Sequence, residues 1–242
     1  MNQFQRTGLL IGKEGLEKLQ AAHVIVFGIG GVGGYVVEAL ARSGVGELTL
    51  VDSDIVSLTN LNRQIIATHE TIGQSKVQVM AKRIASINPN CKVHPKQFFF
   101  LPDNQEQFDF SLYDYVVDAV DTVSAKISLV LSAQAVNTPI ISSMGTGNKL
   151  NPAMFEVADI YETSVCPLAR VMRQSLKKRG VKKLKVVYSK ELPIEQKIDD
   201  SLKEEIAQEN SSKKSIPGSS AFCPPVAGMI LASEVVKDLI QC

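Results

Sequence analysis

The chain has 242 residues, 45% of them hydrophobic, which is enough to bury a proper core as one large α/β unit or one with a modest appendage. A formal net charge of +1 excludes a globally basic nucleic-acid binder, so only a local patch could hold a polyanion. Cys91, Cys166, Cys223 and Cys242 are scattered without a C-x-x-C pair, which argues against a zinc cluster or a disulfide framework.

In chain order, residues 1–22 read as an N-terminal helical arm, with Leu9, Leu10, Leu16 and Leu19 at near-helical spacing. The polar start lacks the apolar core of a signal peptide, so a cytoplasmic protein is expected. His23 to Phe27 is short and β-branched, a strand rather than a helix. Next come Gly28-Ile-Gly30-Gly31-Val-Gly33-Gly34, a helical pattern from Tyr35 to Arg42, and an apolar run from Leu48 to Val51 capped by Asp52. Strand, glycine turn, helix, strand and acid is the context in which such a motif binds a nucleotide. Gly28 and Gly30 let backbone N–H groups approach a phosphate, the helix N-terminus supplies positive dipole, and Asp52 can take ribose hydroxyls.

The glycine motif alone also fits dehydrogenases, flavoproteins and methyltransferases. The residues after it are more specific: Asp54, then Asn60, Arg63 and Gln64, then Gly73-Gln-Ser-Lys76. A hydride-transfer enzyme holds its pyrophosphate mainly by backbone. An enzyme that cleaves a triphosphate needs cations, because negative charge builds on the α-phosphate and on the departing pyrophosphate. Lys76 opens a helix running to about Ile87, where the dipole disfavours a cation unless a phosphate lies between. The stretch therefore reads as an ATP site, with residues 55–72 as a loop over the nucleotide.

Lys92 to Phe99 gives a third strand, and Tyr115 to Asp121 a buried parallel strand with acids at the edge where ligands gather in open α/β sheets. Asp118 reads as a supporting residue. A helix from Ser124 to Val136 and a strand from Pro139 to Ser143 close the nucleotide-binding half, 23–150. In residues 151–242, Phe155 to Ile160 alternates like an antiparallel addition to the sheet. From Arg170 to Lys190 there are nine basic residues and no acidic one: Arg170, Arg173, Lys177, Lys178, Arg179, Lys182, Lys183, Lys185 and Lys190. A solvated helix face usually mixes signs, so this run is a candidate polyanion contact weighed against a plain surface helix. Residues 195–215 turn acidic and polar, part of a flexible stretch placed at 193–217. A last helix, Val226 to Ile240, packs Ile230, Val235 and Leu239 on the sheet, and its apolar start is too short to span a bilayer. The expected fold is a single Rossmann-like α/β domain, a mostly parallel sheet flanked by helices with an antiparallel C-terminal extension.

Gly28-x-Gly30-Gly31-x-Gly33, Asp52-x-Asp54, Asn60-x-x-Arg63-Gln64 and Gly73-x-x-Lys76 together resemble the ubiquitin-activating-type (HesA/MoeB/ThiF) adenylyltransferase superfamily. The phrases Ser142 to Lys149 and Ser164 to Ala169 are similar to its branch that dehydrates threonylcarbamoyladenosine in tRNA. That resemblance implies adenylation of the threonyl carboxylate by ATP and Mg²⁺, then closure of a ring within the same side chain with loss of AMP. It implies Arg63 and Lys76 on the developing charge, Asn60 orienting the triphosphate and Asp121 on magnesium. It also implies a homodimer in which Arg6 reaches the neighbour's triphosphate; read from the residues alone, Arg6 is equally a solvated arginine on a frayed arm. A sulfur-relay protein is a further candidate partner.

Two other classes stay open: an adenylyltransferase acting on the C-terminal Gly-Gly of a sulfur carrier, and a nucleotide-sensing module. The missing zinc ligands and the acid-free basic run weigh against the first, and Arg63, Lys76 and Asp121 together against the second. Cys166, before Pro167 and a helix, is the best candidate for a nucleophilic thiol, though a lone cysteine is more often simply buried. His23, His69 and His94 are scattered and carry no assigned role.

Overall fold

The computed structural model describes residues 3–198 and 217–240. The expected acidic and polar stretch therefore falls mostly outside the described residues, as does Cys242. Among the described residues seven strands form one sheet: β1 (His23–Phe27), β2 (Glu47–Val51), β3 (Lys92–Lys96), β4 (Tyr115–Asp118), β5 (Ile140–Ser143), β6 (Phe155–Asp159) and β7 (Lys185–Ser189). Their order is β3-β2-β1-β4-β5-β7-β6. Every pairing is parallel except β6 with β7, the antiparallel addition read from the alternation of residues 155–160.

Burial explains the strand sequences. All four residues of β4, Tyr-Val-Val-Asp, are buried, as expected where helices cover both sheet faces. The edge strand β3 instead alternates in exposure and tolerates Pro95, whose missing N–H costs little at an edge. It stops at Lys96, three residues before the expected Phe99, because the strand it pairs with, β2, ends opposite it at Val51. The chain then turns inward, and Phe100 joins Phe27, Phe108 and Phe110 in an aromatic cluster on one sheet face.

That face is covered by α4 (Val123–Ala135) and α5 (Pro167–Lys177). The other face carries α2 (Gly33–Ser43), α3 (Lys76–Ile87) and α6 (Cys223–Ile240), with Leu19 of α1 (Gln5–Ala21) packed beside them. Helix α6 begins three residues before the expected Val226. Pro224 and Pro225 fall in its first turn, where an absent N–H breaks no helical bond. The arm is less regular than its leucines suggest. Gly12, at φ 73°, interrupts α1, and Leu9 and Leu10 are 82% and 87% exposed, while Ile11 before the kink and Leu19 after it pack on the core.

The order β3-β2-β1-β4-β5 places a topological switch point between β1 and β4. The chain leaves β1 toward one side of the sheet and later returns to the other, opening a crevice beyond the strand C-termini.

Candidate active site

The crevice is a cavity of about 920 Å³. One wall is the glycine turn after β1. Gly28 adopts φ 85°, and a Cβ there would lie 2.6 Å from the Ala119 carbonyl oxygen, so no other residue fits between β1 and β4. Gly33 is tighter still, since its Cβ would meet the Gly28 carbonyl oxygen at 1.7 Å. Gly28, Gly30 and Gly31 line the cavity, while Gly33 supports the turn from behind.

Asp52 holds that turn from the end of β2. Its carboxylate accepts the Ile29 N–H at 2.6 Å and the Asp54 N–H at 2.8 Å. Burial pushes its pKa above the ordinary aspartate value, although Lys76 and these N–H groups act against the shift. Each oxygen keeps a lone pair, so Asp52 can hold the loop and still accept a ribose hydroxyl.

Lys76, the first residue of α3, is 5% exposed, and its Nζ donates to Asp54 at 2.7 Å. Its backbone N–H also donates to the Asp54 carbonyl, so loop and helix are tied twice. Asn60 is buried in a 3₁₀ turn, and its Oδ1 accepts the Ser57 N–H, which leaves Nδ2 as its available donor. Arg63 donates to the Thr59 carbonyl and to Asn62 Oδ1, and among the described residues no carboxylate pairs with it. Desolvation pulls its pKa below the usual arginine value, as expected of a cation placed without an anion. The neighbouring Gln64 is buried, and its Oε1 finds no hydrogen-bond partner among the described residues. Asp121 stands at the cavity just past β4, exposed.

Asp118, at the end of β4, has a different part. It is fully buried, accepts from Lys126 at 3.0 Å, and takes the Ser142 hydroxyl. Lys126 also donates to the Val120 carbonyl, so this pair fixes the chain that leads to Asp121.

The second wall is only partly legible in the sequence as a site. It consists of the segment after β5, Ser143 to Lys149, with Cys166 to Leu168, Pro193 and Pro217 to Ser219. Asn148, in the left-handed region at φ 56°, joins these pieces. Its Oδ1 accepts from Gly218 N and Gln196 Nε2, and its carbonyl accepts the Ile194 N–H. Lys149 closes one of the phrases that carry the resemblance, but the sequence does not mark it as a site residue; it is 4% exposed and lines the cavity. Cys166 is buried at this wall, and no hydrogen bond reaches its Sγ among the described residues.

The remaining expected residues lie elsewhere. Arg6 is exposed on α1 and does not line the cavity of its own chain. The basic run divides. Lys185 leaves the group, because strand alternation turns it toward α6, where Glu234 and Asp238 pair with it at 3.3 and 2.7 Å. Arg173 is half-buried and donates to the Thr163 carbonyl. Arg170, Lys177, Lys178, Arg179, Lys182 and Lys183 remain exposed. The last five surround the turn from α5 into β7. Since Pro167 starts α5 at the cavity and β7 runs parallel to β5, that turn lies at the opposite end of the sheet.

The arrangement is a crevice with a buried lysine, an arginine that no carboxylate among the described residues pairs with, and an exposed carboxylate at strand ends, suited to stabilising charge in phosphoryl chemistry. Similarities to known proteins are in keeping with it. The ThiF family pattern matches residues 4–242. The tRNA threonylcarbamoyladenosine dehydratase of Bacillus subtilis (strain 168) is 46% identical over 246 residues, covering 100% of this chain and 96% of the relative. The crystal structure of Escherichia coli tRNA N6-threonylcarbamoyladenosine dehydratase in complex with ATP superposes with a TM-score of 0.86 at 34% identity, covering 98% of this chain and 93% of that one. The molybdopterin-synthase adenylyltransferase of Salmonella typhimurium (strain LT2) is 37% identical over 129 residues, 53% of this chain and 51% of the relative. The chain belongs to the ThiF family.

Proposed function

We propose that this chain is an ATP-dependent tRNA threonylcarbamoyladenosine dehydratase. The observation that carries the reading is the extent of the likeness: a dehydratase matches this chain end to end, and a carrier-protein adenylyltransferase matches about half of it. A likeness of that length takes in the second cavity wall, which in this reading faces the substrate.

Adenylation needs no protein nucleophile. A carboxylate oxygen of the threonyl group bonds to the α-phosphorus of ATP as the bond to the β-phosphate oxygen breaks and pyrophosphate leaves. A group of the same side chain then attacks the acyl carbon, closing a ring and expelling AMP, for a net loss of water. The glycine turn and Asp52 hold the nucleotide, and the Asn60 amide and Gln64 orient it. Arg63 and Lys76 meet the charge that grows on the α-phosphate and the pyrophosphate. Gln64 Oε1, buried without a partner among the described residues, suits a group on the ligand.

The residues present fit magnesium: Asp121 is an exposed oxygen donor at the cavity, and one carboxylate with phosphate oxygens and water is ordinary ligation for this ion. When bound, Mg²⁺ would neutralise charge on the departing pyrophosphate. The exposed leucines of α1 support a homodimer in which Arg6 serves the neighbouring site. The exposed basic turn supports an anchoring role toward the tRNA body. Among the described residues no helix is long and apolar enough to cross a membrane, which is compatible with work on tRNA in the cytoplasm.

The test supplies purified protein with ATP and tRNA carrying threonylcarbamoyladenosine, and follows AMP and nucleoside mass. AMP release with a nucleoside lighter by one water supports the reading. Inert tRNA, with pyrophosphate exchange on a Gly-Gly-tailed carrier, moves the chain to the sulfur-carrier branch.

A further inference from the structure

Among the described residues three lysines are almost completely buried, and they are not equivalent. Lys126 is 0% exposed and faces Asp118, and Lys76 is 5% exposed and faces Asp54. Lys149, at 4% exposure, donates to the Glu191 main-chain carbonyl at 2.5 Å, and among the described residues no carboxylate pairs with it. Lysines buried to this degree are rarely left without a counter-charge. An ammonium has three N–H donors, so two remain for something that enters the cavity Lys149 lines.

The position of Lys149 selects the anion. Arg63 and Lys76 stand by the glycine turn after β1 and already serve the phosphates. Lys149 comes after β5, which lies two strands from β1 with β4 between them, a separation of roughly 10 Å at ordinary strand spacing. An adenylation of the kind proposed above brings together two anions, the triphosphate and the carboxylate to be activated. We infer that Lys149 is the residue that binds the substrate carboxylate, holding it across the crevice from the phosphate-binding wall. This inference rests on the adenylation reading and adds to it the group that recognises the acid.

The ammonium is held in place. Besides the Lys149 contact to the Glu191 carbonyl, the Glu191 carboxylate accepts the Leu150 and Asn151 N–H groups at 3.0 and 2.9 Å. Asn148 meanwhile fastens the same loop to Ile194 and Gly218. Such a support keeps a binding group aimed without reorganisation. Because the carboxylate loses its charge once its oxygen bonds to phosphorus, Lys149 acts on the bound ground state more than on later states. Its loss therefore raises KM for the acid more than it lowers kcat.

The experiment compares Lys149→Met, Lys149→Arg and Glu191→Gln in steady-state dehydration. Calorimetry then measures binding of N6-threonylcarbamoyladenosine and of its methyl ester to protein loaded with a non-hydrolysable ATP analogue. Lys149→Met should raise KM for the modified tRNA roughly ten- to hundredfold, the worth of one charge-assisted hydrogen bond, with KM for ATP within about twofold. Lys149→Arg should recover part of the loss. Wild type should prefer the free acid to the ester, and Lys149→Met should not. Glu191→Gln loosens the same support but keeps the ammonium, so it should preserve the preference for the acid. An unchanged KM for tRNA, a parallel rise in KM for ATP, or a Glu191→Gln that reproduces Lys149→Met overturns the assignment while leaving the function standing. Wild type that neither turns over the tRNA nor binds the acid overturns the function, and the assignment falls with it.

Discussion

Lys76 and Arg63 line the same cavity, yet they differ in what they leave behind when removed. Lys76 is buried against Asp54, whose side chain is 62% exposed, so deleting the ammonium strands a carboxylate that water can reach. Lys76→Met should cost about 0–1 kcal/mol of stability, because a pair with one solvated member contributes little. Arg63 has no carboxylate among the described residues, so Arg63→Ala should leave the melting temperature almost unchanged. Adenylation should behave otherwise. Each variant removes a preorganised cation from the site of developing charge and should lower kcat/KM by roughly 10²–10³. Thermal melts beside AMP-release kinetics separate the two effects. A loss of activity that tracks a loss of folded protein would refute a role in the chemistry. The sequence marks both residues as phosphate partners but assigns no role to Lys149, which only closes the phrase Ser142 to Lys149, since spacing does not reveal which lysine is buried without a carboxylate.

At the scale of elements, α3 supplies Lys76 and is fastened to α2 by a buried acid. Glu38 is 3% exposed and accepts from Arg83 at 2.7 and 3.0 Å and from Arg42 at 2.8 Å. Burial alone would raise its pKa, but the hydrogen bonds from Arg83 and Arg42 win and hold it below the ordinary value of 4.5. A carboxylate with a depressed folded pKa contributes stability that is present above its unfolded value and lost as pH falls through the folded one. Glu38→Gln should therefore melt below wild type at pH 7, and the gap should close at pH values below that ordinary 4.5. A gap that persists in acid would mean that packing, not charge, joins the two helices. The arm α1 offers a second test. If Arg6 serves a neighbouring site, mixing Arg6→Ala protein with Lys76→Ala protein should regain activity that neither has alone. A mixed dimer would contain one site with both residues intact. If Arg6 acts within its own chain, mixing restores nothing. The β1-α2-β2 unit is readable from sequence because its periods and glycines act locally. The start of α6 is not, because Pro224 and Pro225 look like breakers until the helix is seen to begin ahead of them.

Across the whole molecule, charge and position separate in a way no linear reading shows. Lys182, Lys183 and Lys185 are near neighbours in sequence, but only the first two are exposed at the turn between α5 and β7. Lys185 sits inside the strand and is bound to Glu234 and Asp238 of α6, and Tyr115 donates to the same Asp238 at 2.6 Å. The run of basic residues is legible as composition, and only the fold assigns its members to different duties. A double variant and a single one test this. Lys182→Ala with Lys183→Ala should weaken tRNA binding at every sequence and reduce the slope of log affinity against log salt by about one for each phosphate that is no longer neutralised. The same pair should leave the melting temperature and ATP turnover without tRNA unchanged. Lys185→Ala should do the reverse, lowering the melting temperature by taking one cation from Asp238, which keeps Tyr115, and from Glu234, which keeps Lys237, while leaving the salt slope intact. Because the basic turn and the cavity lie at opposite ends of the sheet, the lysine pair should act on KM for tRNA and spare kcat. A fall in kcat with unchanged affinity would instead put the tRNA contact at the cavity end of the sheet, where α5 begins and β7 ends and where Arg170 and Lys190 are exposed cations of the run.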